Sequence, residues 1–480
     1  MSKHEADVIV LGTGPGGMGA VNSAVAAGAE VIVVERRNQV GGNARWSTGY
    51  LVFVDTPMQR KAGIQDSVEL FLEDARKAVG KFASEFPVIY DERLARIFAE
   101  ESSETYDLLI ERGVDFDRFI QRPLQHQATR IHAVASSPML AEAFAPDFAN
   151  ERVTHNLLGT QAVRLLTDAG RVVGVRIRSE SEDEEREIYA RRGVVLATGG
   201  YQANPAIRAR YQPGARAHDP YLGVDAARGT GHLLGQAVGG DLINMGVIPP
   251  LVMVASSMLE ESIAVNREGK RFHNEPGPYE MRVEAVRREP GEWAYYILDE
   301  RGARAKAMYL DQMPEPPIVA ETLDALADKL GVPTANLQRT VARWNAFLAS
   351  GKSADPDFGR VSFSPEHTPI AVGPYTAAKM IVGTDFCAGG FNVTTSMQVV
   401  DVFGDAIPGL FAAGDCVGGL NPCADLGGIH INGGLTLGRR AGAAASGSLP
   451  LVPPHLESPF DHSMPSKIGE GIELVHVGPS

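Results

Sequence analysis

Two stretches of this chain carry residue types whose spacing suits chemistry. Near its start, Gly12, Gly14 and Gly17 form GxGxxG between a β-branched run, DVIVL at 7–11, and an alanine-rich segment that reads as a helix ending at Gly28. Glycine at the first position allows a tight turn, at the second lets backbone approach a pyrophosphate, and at the third lets helix pack on strand. Free N–H groups at such a helix start favour a phosphate. Glu35, closing the next run VIVVE and 23 residues past Gly12, is placed to accept hydrogen bonds from a ribose diol. Far along the chain, GKRFHNEPGPYEM at 269–281 brackets Tyr279 with Pro276, Pro278 and acids, with His273 before it and Arg282 three residues after. Tyr279 reads either as a packed ring or as a phenol aimed at a substrate. A phenol has a reference pKa of about 10, so it acts as a base only with help from neighbours such as Arg282 or His273. A third stretch, QHQATRIHAV at 125–134, offers His126, Arg130 and His132 to a polar or anionic group.

The nucleotide signature alone leaves NAD and FAD open. GGNARWSTGY, which follows Glu35 closely, supplies Gly42, Asn43, Ser47, Thr48 and Gly49, and the distant IPGLFAAGDC at 407–416 ends a strand in Gly414 and Asp415. An acid there suits ribitol and phosphate hydroxyls of a flavin, and NAD enzymes need no such returning segment, so FAD is expected.

These residues require a strand, helix, strand unit at 7–35, helices over 67–80 and 91–112, two strands turning at Asp168–Gly170, and a buried strand before ATGG at 197–200. From about 205 the chain becomes richer in proline, arginine and charged helix, until the nucleotide-type pattern returns. The fold class expected is α/β: a Rossmann-like FAD-binding domain of the glutathione-reductase type over 1–204 and 376–447, an inserted α+β capping lobe over 205–375, and an extended tail over 448–480.

At 480 residues, 44% hydrophobic and 22% charged, the chain has ordinary globular composition, and its net charge of −14 with no basic stripe argues against nucleic acid. The opening MSKHEADVIVLG has neither a long apolar span nor a basic leader, so a cytoplasmic protein without a membrane span is expected. The three cysteines, Cys387, Cys416 and Cys423, form no CxxC pair, so the sequence supports neither a zinc site nor a disulfide framework, and no metal site is expected. Cys416 and Cys423 read as small buried fillers, Asp385 and Asp425 as turn caps, SESEDEEREIY as a solvated hairpin, and Trp293, Tyr295 and Tyr296 as lobe core.

As an ordered set, the GxGxxG with Glu35, GGNARWSTGY, GVVLATGGY at 193–201, GKRFHNE, AGGFNV at 388–393 and IPGLFAAGDC resemble the succinate dehydrogenase and fumarate reductase flavoprotein superfamily, which includes 3-ketosteroid dehydrogenases. The resemblance implies FAD held between an FAD domain and a capping lobe, with substrate against the flavin. It adds Ala162, Thr198, Gly199, Gly200, Asn204, Gly428 and Ile429 to the expected cofactor contacts. Relatives that bond FAD covalently use a histidine absent from 38–55 here, so a dissociable FAD is expected. The chain departs from the fumarate pattern: Tyr279 stands where an arginine is expected, Asp385 and Phe386 where a histidine is, and Asp425 where a further arginine is. A dicarboxylate clamp is thereby lost.

Ketosteroid dehydrogenases resemble the Tyr279 stretch more closely. The resemblance implies that Tyr279 removes a proton beside a ketone while a glycine N–H, at Gly428 here, polarises its oxygen; their second tyrosine, near Ala424, is missing. The leading expectation is therefore an FAD-dependent dehydrogenase that forms a C=C bond next to a cyclic ketone, with Tyr279, Gly428, Arg282 and His132 at the reaction and an external electron acceptor. His430 and Asn432 are candidate extra donors. One alternative is a carboxylic-acid dehydrogenase or enoate reductase that uses Arg122, Arg130 or Arg282. Another is a flavoprotein subunit serving a separate iron–sulfur or haem chain, since no cluster motif or CxxCH occurs here. Oligomeric state is left open by the sequence.

Overall fold

The computed structural model describes residues 4–453 apart from 84–87, 123–124, 180–184, 213–218, 222, 249–250, 253–258, 260, 278, 312, 314, 362, 364–367, 385 and 424–425; of residues 82, 251, 279, 280, 308 and 309 it describes the backbone only. The tip of the charged run, Asp385, Asp425 and most of the expected tail, from 454 on, thus lie outside the described residues.

The strand His4–Leu11 lies at the heart of an eight-stranded sheet, flanked in parallel by Val31–Val34 and Glu185–Leu196. Val153–Leu157 extends the sheet beyond Val31–Val34, and Ala406–Ala412 lies parallel to Glu185–Leu196 on the other side. All four residues of Val31–Val34 are buried, as expected of a strand covered on both faces, where alternation gives way to a continuous apolar run. The hairpin Thr160–Asp168 and Arg171–Ser179 turns where the sequence predicts and pairs antiparallel onto Glu185–Leu196.

Two helices cover the sheet where the cofactor signature lies. The helix Pro15–Ala26 begins with proline at its first turn, where a missing N–H costs nothing, and the last helix Ile429–Ser446 packs across it through small residues. A methyl group on Gly19 would meet the Leu435 carbonyl oxygen at 2.3 Å, and one on Gly442 would meet that of Ala20 at 2.1 Å. The many glycines and alanines of these helices therefore allow contact between backbones at closest approach.

A second, five-stranded sheet forms the lobe: Leu251–Val252, Ile263–Val265, Trp293–Leu298, Ile318–Ala320 and Tyr375–Gly383. Its core holds Ile297, Leu326, Leu337, Val341 and Trp344, and Tyr295 and Tyr296 are buried in its strands. The lobe borders differ from those expected. Tyr375–Gly383, divided by a boundary at 375/376, is the strand against which Trp293–Leu298, Ile318–Ala320 and Leu251–Val252 all pair. Conversely, Leu242–Ile243 pairs with Gly390–Phe391, and Leu234 packs in the core of the nucleotide-binding sheet. Composition marked where the chain's chemistry changes, but strand pairing over long sequence separations sets the border, and composition does not report it. A small three-stranded sheet, Tyr50–Val52 with Ile131–Val134 and Phe116–Ile120, lies beside the start of the last helix. Among the described residues no helix is long and apolar enough to cross a membrane, and no cluster of three metal-ligating side chains occurs.

Candidate active site

One cleft runs from Glu35 past the glycine turn to the lobe residues Val252 and Arg282. At its nucleotide end Gly12 has φ +99°, and a methyl group there would lie 2.3 Å from the Ala197 carbonyl oxygen, so only glycine fits this turn. Gly14, by contrast, faces open space within 4 Å and lines the cleft, the property a pyrophosphate needs of that position. Gly17 lies against its own turn, where a methyl group would come within 1.9 Å of the Gly12 carbonyl oxygen. The Glu35 carboxylate is oriented by Thr13, whose N–H and hydroxyl donate to it at 2.9 and 2.6 Å, and by the Arg37 N–H at 2.8 Å. Thr13, Arg36 and Arg37 line the cleft beside it, and sequence reasoning passed over them although they adjoin the motif.

The returning segment meets the first glycine turn directly. A methyl group on Gly16 would lie 2.9 Å from the Gly414 amide, which brings Gly414 and Asp415 into the same cleft from the far end of the chain. Gly42, Asn43, Ser47, Thr48, Ala162, Thr198 and Gly199 line it too. Asn43 also ties a neighbouring segment across the cleft, since its side chain accepts from the Val224 N–H at 3.0 Å and donates to the Tyr221 hydroxyl at 3.2 Å. An oriented acid at a strand end, an open glycine turn at a helix start and a second acid on a returning strand together fit FAD.

Besides Gly17, four expected contacts stand away from the cleft lining. Gly49 has φ +71° and donates to Ser47, serving the turn into Tyr50–Val52. Gly200 is walled in by Gln202 and Cys387. Asn204 caps the helix Pro205–Tyr211, its side chain accepting from the Ala206 and Ile207 N–H groups. Ile429 is 1% exposed and packs with Val52 and Phe98. Each belongs to a motif adjoining the cleft, but its own side chain or backbone is engaged elsewhere.

At the lobe end the cleft is lined by Tyr50, Arg122, Gln125, Ile131, Val252, Arg282, Phe386, Gly427, Gly428 and His430. Arg282, 3% exposed, stands on the helix Tyr279–Arg288. Tyr279 opens that helix, one turn earlier; its side chain lies outside the described residues. Gly428 is the N-cap of the last helix with φ +91°. His430 sits 3.7 Å from Asp415 through Nδ1, faces the Asn421 amide at 3.3 Å through Nε2, and packs its ring on Phe386 with centroids 4.0 Å apart. Asn432 instead donates to the Val52 carbonyl at 2.7 Å and is fully buried.

The stretch 125–134 corrects the expectation made for it. Arg130 is fully buried between Asp66 and Asp74, pairing with Asp66 at 2.8 Å, and is therefore no substrate ligand. His132 donates to or accepts from Thr56 at 2.9 Å and bonds the Arg130 carbonyl at 2.7 Å, amid Phe53, Phe116 and Phe119. Burial lowers its pKa to about 4. It is a core histidine away from the cleft, because Ile131–Val134 is a central strand whose four residues are all buried. His126 lies behind the lining, 3.4 Å from the Gly427 carbonyl, and His273 bonds the Asn274 carbonyl at 3.0 Å outside it. Burial raises the Cys416 thiol to about 11 and Cys387 well above the usual range, so neither supplies a thiolate.

Fold and cleft together define an FAD-dependent oxidoreductase built from a nucleotide-binding sheet and a lobe. Residues 7–431 match the family described as FAD binding domain, and the chain belongs to it, within the succinate dehydrogenase and fumarate reductase flavoprotein superfamily. It is 30% identical over 454 residues to the probable fumarate reductase Ifc3 of Shewanella frigidimarina, spanning 92% of this chain and 74% of that protein. To the urocanate reductase of Eggerthella lenta it is 29% identical over 470 residues, spanning 92% and 75%. A solved 3-ketosteroid-Δ4-(5α)-dehydrogenase of Rhodococcus jostii RHA1 superposes with TM-score 0.65 at 27% identity, covering 92% of this chain and 97% of that one.

Proposed function

We propose that the protein catalyses oxidoreduction of a carbon–carbon bond conjugated to a carboxylate, in the manner of an enoate reductase or acid dehydrogenase, with a monoacid as substrate. The observation that carries this reading is Arg282, a buried guanidinium on the cleft wall, with Arg122 on the same lining. A guanidinium in a site of low dielectric attracts a carboxylate far more strongly than one in water, and its planar fork matches both carboxylate oxygens. The two relatives of about 30% identity are both named as reductases, one of them of fumarate. The residues at Tyr279, Phe386 and Asp425 lack the cationic groups of the fumarate pattern, which argues for one carboxylate in place of two.

FAD held in this cleft would supply the hydride chemistry at one substrate carbon, with the accompanying proton exchanged at the neighbouring carbon. The chain's own residues bind and orient: Arg282 and Arg122 grip the carboxylate, and backbone N–H groups at the start of the last helix polarise its oxygen as charge develops. Phe386, Ile131 and Val252 exclude water from the reacting carbons.

A second reading is the ketone desaturase, with Tyr279 as base and the Gly428 N–H on the ketone oxygen. It is supported by the position of Tyr279, one helical turn from Arg282, and by the 27% identity to a ketosteroid dehydrogenase. Anaerobic titration separates the two. Reduced enzyme should be reoxidised by unsaturated monoacids such as crotonate or cinnamate, and Arg282→Ala should weaken that response about 100-fold. Bleaching of oxidised enzyme by cyclic ketones, abolished in Tyr279→Phe and unaffected by Arg282→Ala, would establish the second reading instead.

A further inference from the structure

The segment GKRFHNE contributes strongly to the family resemblance, yet none of its side chains lines the cleft. Arg271, His273 and Glu275 face inward. Gly269, with φ +70°, closes a turn that returns the chain alongside Ile263–Val265, where Val265 and Arg271 form a bridge. Arg271 then grips Glu275 with both arms of its fork, Nε to Oε1 and Nη2 to Oε2, each at 2.8 Å. Its remaining nitrogen donates to Asp355 at 3.1 Å. Arg360, distant in sequence, donates to the same Glu275 carboxylate at 3.2 Å and to the Ser262 and Leu259 carbonyls at 2.7 and 2.6 Å. Glu275 also accepts the Ala264 N–H at 3.0 Å. Both guanidinium carbons lie 4.7 Å from the centre of the Trp344 ring. Glu275 and Arg360 are fully buried, and two arginines balance two carboxylates.

A buried ion cluster of this kind is weak evidence for stability, because well-packed apolar residues serve as well; its directional bonds impose one geometry. Here that geometry lies immediately before the helix Tyr279–Arg288. Val283 and Val286 seat this helix on the lobe core, but apolar contacts tolerate sliding. The polar bonds at Glu275 do not.

We infer that Glu275 is a positioning residue: clamped by Arg271 and Arg360, it sets where the helix Tyr279–Arg288 begins and so holds Arg282 at the cleft wall. The inference rests on the reading of Arg282 as the carboxylate ligand. A displacement of about 1 Å at a substrate-binding group lowers rate by up to roughly 100-fold, so a remote anchor has a measurable effect.

The test is a double-mutant cycle in the FAD-loaded enzyme, with crotonate and cinnamate as titrants, read by flavin absorbance and by kcat/KM. Glu275→Gln should raise the dissociation constant about tenfold and Arg282→Ala about 100-fold. The double variant should match Arg282→Ala alone, because sites that act through one group are not additive. Additive losses, or Glu275→Gln binding within twofold of wild type, would overturn the anchor while leaving Arg282 as ligand. Unchanged binding in Arg282→Ala, or wild-type enzyme blind to both acids, would overturn that reading and the anchor with it. If Glu275→Gln fails to retain FAD, Arg271→Lys, which keeps the charge and loses the fork, enters the same cycle with the same outcomes.

Discussion

The backbone of Val52 is bonded on both sides by the start of the last helix: its N–H donates to the Gly428 carbonyl at 2.9 Å, and its carbonyl accepts the Asn432 amide at 2.7 Å. Val52 belongs to the small sheet and Gly428 caps a helix near the other end of the chain, so this pair fixes the peptide at the cleft wall. Gly428 has φ +91°, and a methyl group there would lie 3.1 Å from a Val52 methyl. Gly428→Ala should cost about 1–3 kcal/mol of stability, the scale for a non-glycine residue forced into this region. It should also blunt the flavin's spectral response to bound acid. Thermal unfolding and acid titration of the variant check both effects, and an unaltered Tm would refute the strained placement.

Arg130 separates a structural role from a binding one. Replacing it with Met leaves Asp66 and Asp74 buried without their cation, and breaking such a pair typically costs roughly 3–5 kcal/mol. Arg130→Met is therefore expected to lower the denaturation midpoint strongly, whereas any folded fraction keeps the wild-type KM. A raised KM in a variant of normal stability would return Arg130 to the substrate site.

The cofactor turn makes a sharper prediction. In Gly17→Ala the new methyl would overlap the Gly12 carbonyl oxygen at 1.9 Å, so helix and strand must separate at the glycine turn that lines the cleft. The purified variant should emerge colourless and fail to take up added FAD. Full flavin content would show that the turn has room the geometry denies it.

Acid should weaken the fold in two stages. Burial, above all, holds His126, His132, His232 and His273 at about 4, below the ordinary histidine value of 6.5. Their unfolded forms bind protons first, so stability present above pH 6.5 is lost as pH falls from there through 4. Each imidazole accounts for at most roughly 3 kcal/mol. Glu275 follows: burial alone would raise its pKa, but Arg271 and Arg360 pull it down to about 2, so its contribution, present above 4.5, is lost between 4.5 and 2. Thermal midpoints measured from pH 8 to pH 4.5 should be level above 7 and then fall. A flat profile down to pH 5 would show the histidines to be accessible.

Much of the nucleotide-binding half was legible in the chain. The motif at Gly12 and Gly14, the acid at Glu35 and the hairpin around Asp168–Gly170 are local patterns, because turn, helix start and strand are each encoded within about a dozen neighbouring residues. The 125–134 stretch was not. Histidine and arginine there look like ligands in sequence, and nothing local reveals that Asp66 and Asp74 await Arg130.

The sequence by itself determined the glycine turn with its acid at the next strand end and that the chain belongs among these flavoproteins, since those signals are short-range and chemically specific. Tertiary structure alone decided that Arg282 faces the cleft while Arg130 and His132 do not, that Tyr375–Gly383 belongs to the lobe sheet, and that Glu275 answers to Arg360. Those outcomes depend on burial and on partners dozens to hundreds of residues apart, and charge or polarity read along a chain carries no record of which groups folding will bring together.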